Sequence, residues 1–317
     1  MDTSSATAIN RPQQNILKRC LLVTKLPKAR FWEVEDIFHW EGFWFWPDVL
    51  KLVMTFRSSF TAGNDDVLLA SAMKTGTTWL KSLAFCIHRN GGAGDAIAAE
   101  NPHFLVPTVE VSHFAVKPYE IDIYDASAPR LIHTHIPYSL LPDSIKTSSS
   151  STKIVYIARN PKDTFISMWH FYNSSLCRIP IETAFDYFCS GVYNCGSLFD
   201  HVAEYWIESR KQPEKILFMK YEELKNNPKA EVLKMAEFMG RPLGSEDEAE
   251  KILWRCSLER LRNLEVNKNG KVFIYTSNSS FFRKWEVGDW KNYLTPEMEE
   301  KIDRKLRDKL EAIGLFL

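Results

Sequence analysis

Four short apolar runs constrain the fold of this chain more than any other feature: Val67–Ala72, Arg130–His135, Lys153–Arg159 and Lys215–Lys220. Each has the length and composition of a buried strand, and the intervals between them carry helical patterns. Strands that alternate with helices build an α/β sheet whose strands run largely parallel. Capping chemistry marks several helix starts. Asn160 stands as N-cap, Pro161 as first helical residue and Asp163 in the first turn after the third run. The pair Asn227-Pro228 opens a helix that stops near Gly240 and Pro242. Thr295-Pro296 opens the last, in which Met298, Ile302, Leu306 and Leu310 recur at every fourth position on one face. The expected fold is a single α/β domain with a central, largely parallel sheet flanked by helices.

At 317 residues, 45% of them hydrophobic, the chain has ample material for one large core, and no stretch reads as an interdomain linker. Residues 1–30 are expected to form a flexible polar arm and 31–317 the domain. The segment Phe31–Leu50 is dense in aromatics, and Gly42 and Pro47 disfavour one continuous helix there; core packing is the default role. Forty basic residues balance forty acidic ones, so no global field recruits nucleic acid or an anionic membrane, and any anion site must be local. The N-terminus lacks the apolar core of a signal peptide, and no stretch has the ~18 uncharged apolar residues of a membrane span. Six scattered cysteines without a CxxC pair read as reduced thiols, and the expectation is a soluble cytoplasmic protein.

The first run leads into "SAMKTGTTWLKS" (residues 71–82). A strand feeding a Gly/Thr/Lys turn and then a helix is a phosphate grip: Gly76 permits close backbone approach, and the amides after it face an anion from a helix N-terminus. Thr77 and Thr78 add hydroxyl donors, and Lys74 a mobile positive charge. The lysine precedes the glycine, which breaks the G-x-x-x-x-G-K-[ST] order and argues against a Mg-nucleotide kinase or ATPase. The structural alternative is an ordinary strand-to-helix turn. Further along, His133 and His135 stand two apart on a strand and share a face. His-x-His can be half of a metal site, but no third and fourth ligands follow at metal spacing, although His103 and His113 lie upstream.

The motifs "KTGTTWLK", "THIP", "YIARNPKDTFIS", "KYEELKNNP" and "FFRKWEVGDWKNYLT" occur in the order and spacing of the cytosolic sulfotransferases, which the chain resembles from about residue 40 to its end. "GFWF", "THIPYSLLP" and "FCSGV" bring the resemblance closest to the plant branch, which acts in specialised metabolism. It implies transfer of a sulfuryl group from 3′-phosphoadenosine 5′-phosphosulfate (PAPS) to a hydroxyl of a small acceptor, leaving adenosine 3′,5′-bisphosphate (PAP), with no metal required. It further implies that Lys74, Thr75, Gly76, Thr77, Thr78 and Trp79 hold the phosphosulfate end of the donor. Arg159, Ser167, Arg283 and Lys284 would bind the 3′-phosphate. Tyr221 and Ser257 would lie at the nucleotide, although Cys256 and Leu258 depart from the family's Thr-Ser-Phe. Trp285 replaces a glycine and would offer a backbone N–H with added bulk, and Met73 stands where relatives have proline.

By the same resemblance His135 is the general base that takes the acceptor's proton as its oxygen attacks sulfur in line. Lys74 would then stabilise negative charge on the bridging oxygen as the bisphosphate leaves. Phe45 and Trp46 are candidates for an apolar acceptor wall, and Phe171 matches a substrate-facing Phe of relatives. An aromatic-lined pocket favours a flavonoid or other phenol, with steroid-like hormones, hydroxyjasmonate and desulfoglucosinolates open. Lys291, Thr295 and Glu300 keep the ends of a family dimerisation segment, but Pro296 interrupts it, so a monomer or weak homodimer is expected. Two rival readings are a non-catalytic adenosine-bisphosphate binding protein of the same fold and, less favoured, a small-molecule kinase.

Overall fold

The computed structural model describes residues 25–89, 95–120, 122–147 and 149–317. The first 24 residues of the expected arm, and Cys20 with them, lie outside the described residues. The arm's expected last residues are structured: strand β1 (Lys28–Phe31) pairs antiparallel with β2 (Glu35–Trp40), which pairs with β3 (Phe43–Phe45). Thus the aromatic segment is a three-stranded meander. Glu41 and Gly42, both at positive φ (45° and 91°), make the two-residue turn of its second hairpin. Phe31, Ile37, Phe43 and Phe45 point into the core, and Pro47 opens helix α1 (Pro47–Ser59).

The four apolar runs form the central sheet. Strands β4 (Val67–Ser71), β5 (Leu131–Thr134), β6 (Lys153–Ala158) and β7 (Ile216–Lys220) lie in the order β5-β4-β6-β7, all parallel. Side chains alternate between two cores. Leu68, Ala70, Ile132, Ile154, Tyr156 and Ala158 enter one; Val67, Leu69, Leu131, Val155, Ile157 and Met219 enter the other. Both faces are covered, as a parallel sheet requires. Helices of the domain include α2 (Thr77–His88), α3 (Pro161–Ser175), α4 (Leu198–Lys211), α5 (Pro228–Phe238), α6 (Leu258–Asn263) and α7 (Pro296–Lys309), of which α2 and α3 line the site. Helix α3 begins as its sequence predicts, with Asn160 Oδ1 accepting from Lys162 N at 2.9 Å. Met298, Ile302, Leu306 and Leu310 are buried along α7 and its C-cap.

The connection after β4 leads to one side of that strand, to β5, and the connection after β6 leads to the other side, to β7. The two diverge at the carboxyl ends of β4 and β6, the switch point at which open α/β sheets bind ligands. Lys74 and Arg159 follow those two strand ends.

Candidate active site

A cavity of about 900 Å³ opens at this switch point. Its floor is the turn after β4. Thr75 pins that turn, because its hydroxyl donates to neighbouring carbonyls: Oγ1 lies 2.9 Å from Ala72 O and 3.0 Å from Ile157 O. Thr75 is fully buried and lines no part of the cavity. Gly76 is the N-cap of α2 at φ 118°, and a Cβ there would lie 2.8 Å from Tyr221 Cδ2. Only glycine fits this position, both for its backbone and for its space. No side chain caps α2 and no acid stands in its first turn, so its leading amides and dipole face the cavity uncompensated.

Lys74 itself holds a left-handed conformation, φ 67°, which turns its side chain across the cavity. Its Nζ sits 4.0 Å from the Phe171 ring centroid and makes no ion pair among the described residues. Burial, then Arg283, then Arg159 push its pKa down to about 7. A bound anion would reverse that push.

Arg159 and Ser167 line the same cavity. The Arg159 guanidinium lies 4.5 Å from the Tyr221 ring and donates to Glu286 O at 2.6 Å, while its buried Nε has no partner. Ser167, His170, Phe171 and Ser174 share one face of α3 and run along the wall. Arg283 and Lys284 are on the wall too, but both are paired with Asp289, each at 2.7 Å. Burial would raise the Asp289 carboxyl, yet the bonds from Lys284 and Arg283 outweigh it and hold the pKa at about 2. Asp163 accepts from Gly288 N and Trp290 N, which fastens this turn to the start of α3.

Trp285 takes the left-handed conformation, φ 56°, a region that glycine enters without strain and a tryptophan rarely adopts. Its ring stacks on Phe282 and lies 6.0 Å from Trp79, its Nε1 donates to Phe281 O, and its carbonyl accepts from Tyr221. The bulk is therefore packed against the aromatic end of the cavity, and Trp79, Tyr221 and Trp285 line that end together.

The strand pair β4–β5 supplies the histidine. His135 Nδ1 lies 2.8 Å from Ser71 O, so the ring's one proton sits on Nδ1 and Nε2 keeps its lone pair for the cavity. The residue is held on every side. Glu110 accepts from His135 N at 2.7 Å and from Thr134 Oγ1 at 2.8 Å, and His201 Nε2 donates to His135 O at 2.9 Å. Burial pushes the imidazole pKa down to about 3, so the free protein carries it neutral.

Three expected residues are not among the cavity's lining: Thr75, fully buried in the turn, Phe45 and Ser257. Phe45 is fully buried in the core below the meander and lines no part of the cavity, whereas its neighbour Trp46 and the α3 residue Phe171 do. Ser257 caps α6, its Oγ accepting from Arg260 N, and is also outside the lining. Sequence reasoning missed Met73, Val111, Phe114, Tyr172 and Phe273 on the cavity wall, and Glu110 behind His135. Met73 had a signal, since it replaces proline, and its sulfur accepts from Tyr172 OH at 3.1 Å. Among the described residues, no three His, Cys, Asp or Glu side chains cluster as metal ligands.

Residues 64–314 match the sulfotransferase domain family, and the chain belongs to it. Cytosolic sulfotransferase 5 of Arabidopsis thaliana is 41% identical over 307 residues, which cover 93% of this chain and 94% of that protein. The crystal structure of an Arabidopsis thaliana sulphotransferase aligns with a TM-score of 0.73 and 32% identity, covering 99% of this chain and 100% of that one. A mouse sulfotransferase, SULT7A1, crystallised with PAP, aligns at 0.68 and 30% identity over 87% of this chain and 95% of its own. No helix among the described residues is long and apolar enough to cross a membrane.

Proposed function

We propose that this sulfotransferase moves the sulfuryl group of PAPS to a hydroxyl of a small, apolar, aromatic acceptor in the cytoplasm. The observation that carries the reading is one cavity in which Lys74, Arg159, Arg283 and Lys284 face the uncapped start of α2, with the free Nε2 of His135 beside them. The partnerless Arg159 Nε and the uncapped amides at the start of α2 both suit a bound bisphosphate. PAP in the mouse relative supports the same donor.

In this reading Arg159, Ser167, Arg283 and Lys284 bind the 3′-phosphate, and Trp79, Tyr221 and Trp285 hold the base. Thr77, Thr78 and the first amides of α2 hold the 5′-phosphosulfate. His135 Nε2 takes the proton of the acceptor hydroxyl as its oxygen bonds to sulfur. Lys74 meets the charge that grows on the bridging oxygen as the sulfur–oxygen bond breaks, which lowers the barrier more than it tightens binding. Trp46, Phe171, Tyr172 and Phe114 form the wall that selects a flat apolar acceptor such as a flavonoid or other phenol.

The test is incubation with radiolabelled PAPS, and separately with ATP, against phenols, steroids and desulfoglucosinolates. Sulfated phenol supports the reading. PAPS binding with no product on any acceptor would make the chain a binding protein, and phosphorylated product would make it a kinase.

A further inference from the structure

A fully buried lysine sits one turn into α2, behind the phosphate-facing threonines. Lys81 Nζ lies 2.8 Å from Val106 O, 2.7 Å from Thr108 Oγ1 and 3.3 Å from His103 Nδ1. Two chains of hydrogen bonds run from it to the cavity. One passes from Thr108 Oγ1 to His133 Nδ1 (3.1 Å), from His133 Nε2 to Ser71 Oγ (2.9 Å), and from Ser71 Oγ to Thr77 Oγ1 (2.8 Å). The other passes through the His103 ring to Thr78 Oγ1, 3.0 Å from Nε2. Lys81, His103, Thr108, His133 and Ser71 are all buried.

Burial pushes the Lys81 pKa down to about 7, and in the ammonium form of that lysine donor counting fixes the direction of both chains. An ammonium only donates, a hydroxyl has one proton, and a neutral imidazole has one N–H and one lone pair. Burial keeps both imidazoles neutral. If Lys81 donates to Thr108, then Thr108 must donate to His133 Nδ1, His133 Nε2–H to Ser71, and Ser71 to Thr77. If Lys81 donates to His103 Nδ1, then His103 Nε2–H donates to Thr78. Each chain thus ends on a threonine oxygen that already accepts, which leaves that threonine's proton for an acceptor in the cavity.

We propose that Lys81 is a positioning residue whose two buried relays, through Thr108–His133–Ser71 and through His103, turn the Thr77 and Thr78 hydroxyls into fixed donors to the phosphosulfate group. The inference rests on the donor reading above. It gives a role to His133, which the reaction itself does not use, because that ring passes donor polarity between strands. It also explains why charge is buried behind a site that already holds cations. Preorganised donors need no reorientation when the anion arrives, which is what makes them effective in a low-dielectric cleft.

The test is a double-mutant cycle on PAP affinity, measured by calorimetry on the whole chain with thermal unfolding as the folding control. The relay predicts that Thr77→Val weakens PAP binding about tenfold, the size of one lost hydrogen bond to a charged group. Thr108→Val should lose most of the same factor alone and add nothing in the Thr77→Val background. Combined with Thr78→Val, its factor should multiply. A packing defect would not discriminate between the two threonines. Lys81→Met should reproduce both losses, and the cycle decides the matter should that variant not fold. Independent, multiplying effects of Thr108→Val and Thr77→Val, or full affinity in Thr108→Val, would overturn the relay. Failure of the wild-type protein to bind PAP at all would instead overturn the donor reading.

Discussion

Lys74 should take up a proton when PAP binds, and the amount follows from its surroundings. In the free protein, burial and the charges of Arg283 and Arg159 put its pKa at about 7. A bound phosphate beside Nζ replaces those unfavourable influences with a favourable one and returns the pKa toward its ordinary value of about 10.4. At pH 8.5 the free lysine is then about 3% protonated and the bound lysine about 99%, giving an uptake of about 0.95 proton per PAP bound. The linkage has a definite sign: the bound state holds more protons, so affinity falls as pH rises. Between about pH 7 and pH 10 the loss approaches tenfold, about 1.4 kcal/mol, per pH unit. Below about pH 7 Lys74 is charged in both states and adds no slope. Titration calorimetry at pH 8.5 in buffers of different ionisation enthalpy reads the uptake directly, and phosphate protons do not contribute at that pH. Lys74→Arg keeps the charge without titrating and should bind PAP with no uptake and a flat pH profile. Uptake below about 0.2 proton in the wild type, or uptake that persists in Lys74→Met, would refute the placement of Lys74 at the anion.

Other perturbations report on other parts of the structure. Gly76→Ala should cost roughly 3 kcal/mol in chemical denaturation, since it combines a positive φ with a contact inside van der Waals distance of Tyr221. A cost under about 0.5 kcal/mol would mean the turn relaxes freely. Asp289→Asn should release Arg283 and Lys284 and destabilise the fold by about 1–2 kcal/mol after allowance for solvent screening. Because the Asp289 pKa is depressed to about 2, that contribution is present above the unfolded value near 4 and is lost as pH falls toward 2. Wild-type and variant stability curves should therefore converge in that window, and parallel curves would contradict the pairing. Phe171→Ala should raise the KM for a phenolic acceptor severalfold while leaving PAP affinity within about twofold, and the reverse pattern would move Phe171 to the donor side.

The central sheet was legible because its strands are buried on both faces and so read as uninterrupted apolar runs. The N-terminal meander was not. Its aromatics sit on both faces, Phe43 and Phe45 inward with Trp44 between them beside His39, which hides the alternation of period two. Its turn is Glu-Gly with glutamate at positive φ, a weaker hairpin signal than Asn-Gly. One residue of register decided the difference between Phe45, in the core, and Trp46, on the cavity wall. The turn after β4 was readable because its chemistry is local, five consecutive residues between a strand and a helix. The support of His135 was not, because Glu110 and His201 meet it from 25 and 66 residues away and carry no periodic mark. Nor did the sequence reveal that Asp289 holds both Arg283 and Lys284, a contact set by the turn at Gly288.

The most direct measurement compares wild type with His135→Ala in two readouts, turnover of PAPS with a phenolic acceptor and equilibrium binding of PAP. With His135 as the base, turnover falls by about 10²–10⁴, the range of a lost general base, while PAP affinity stays within about threefold. Turnover near the wild-type rate in His135→Ala, with PAP still bound, would contradict the account.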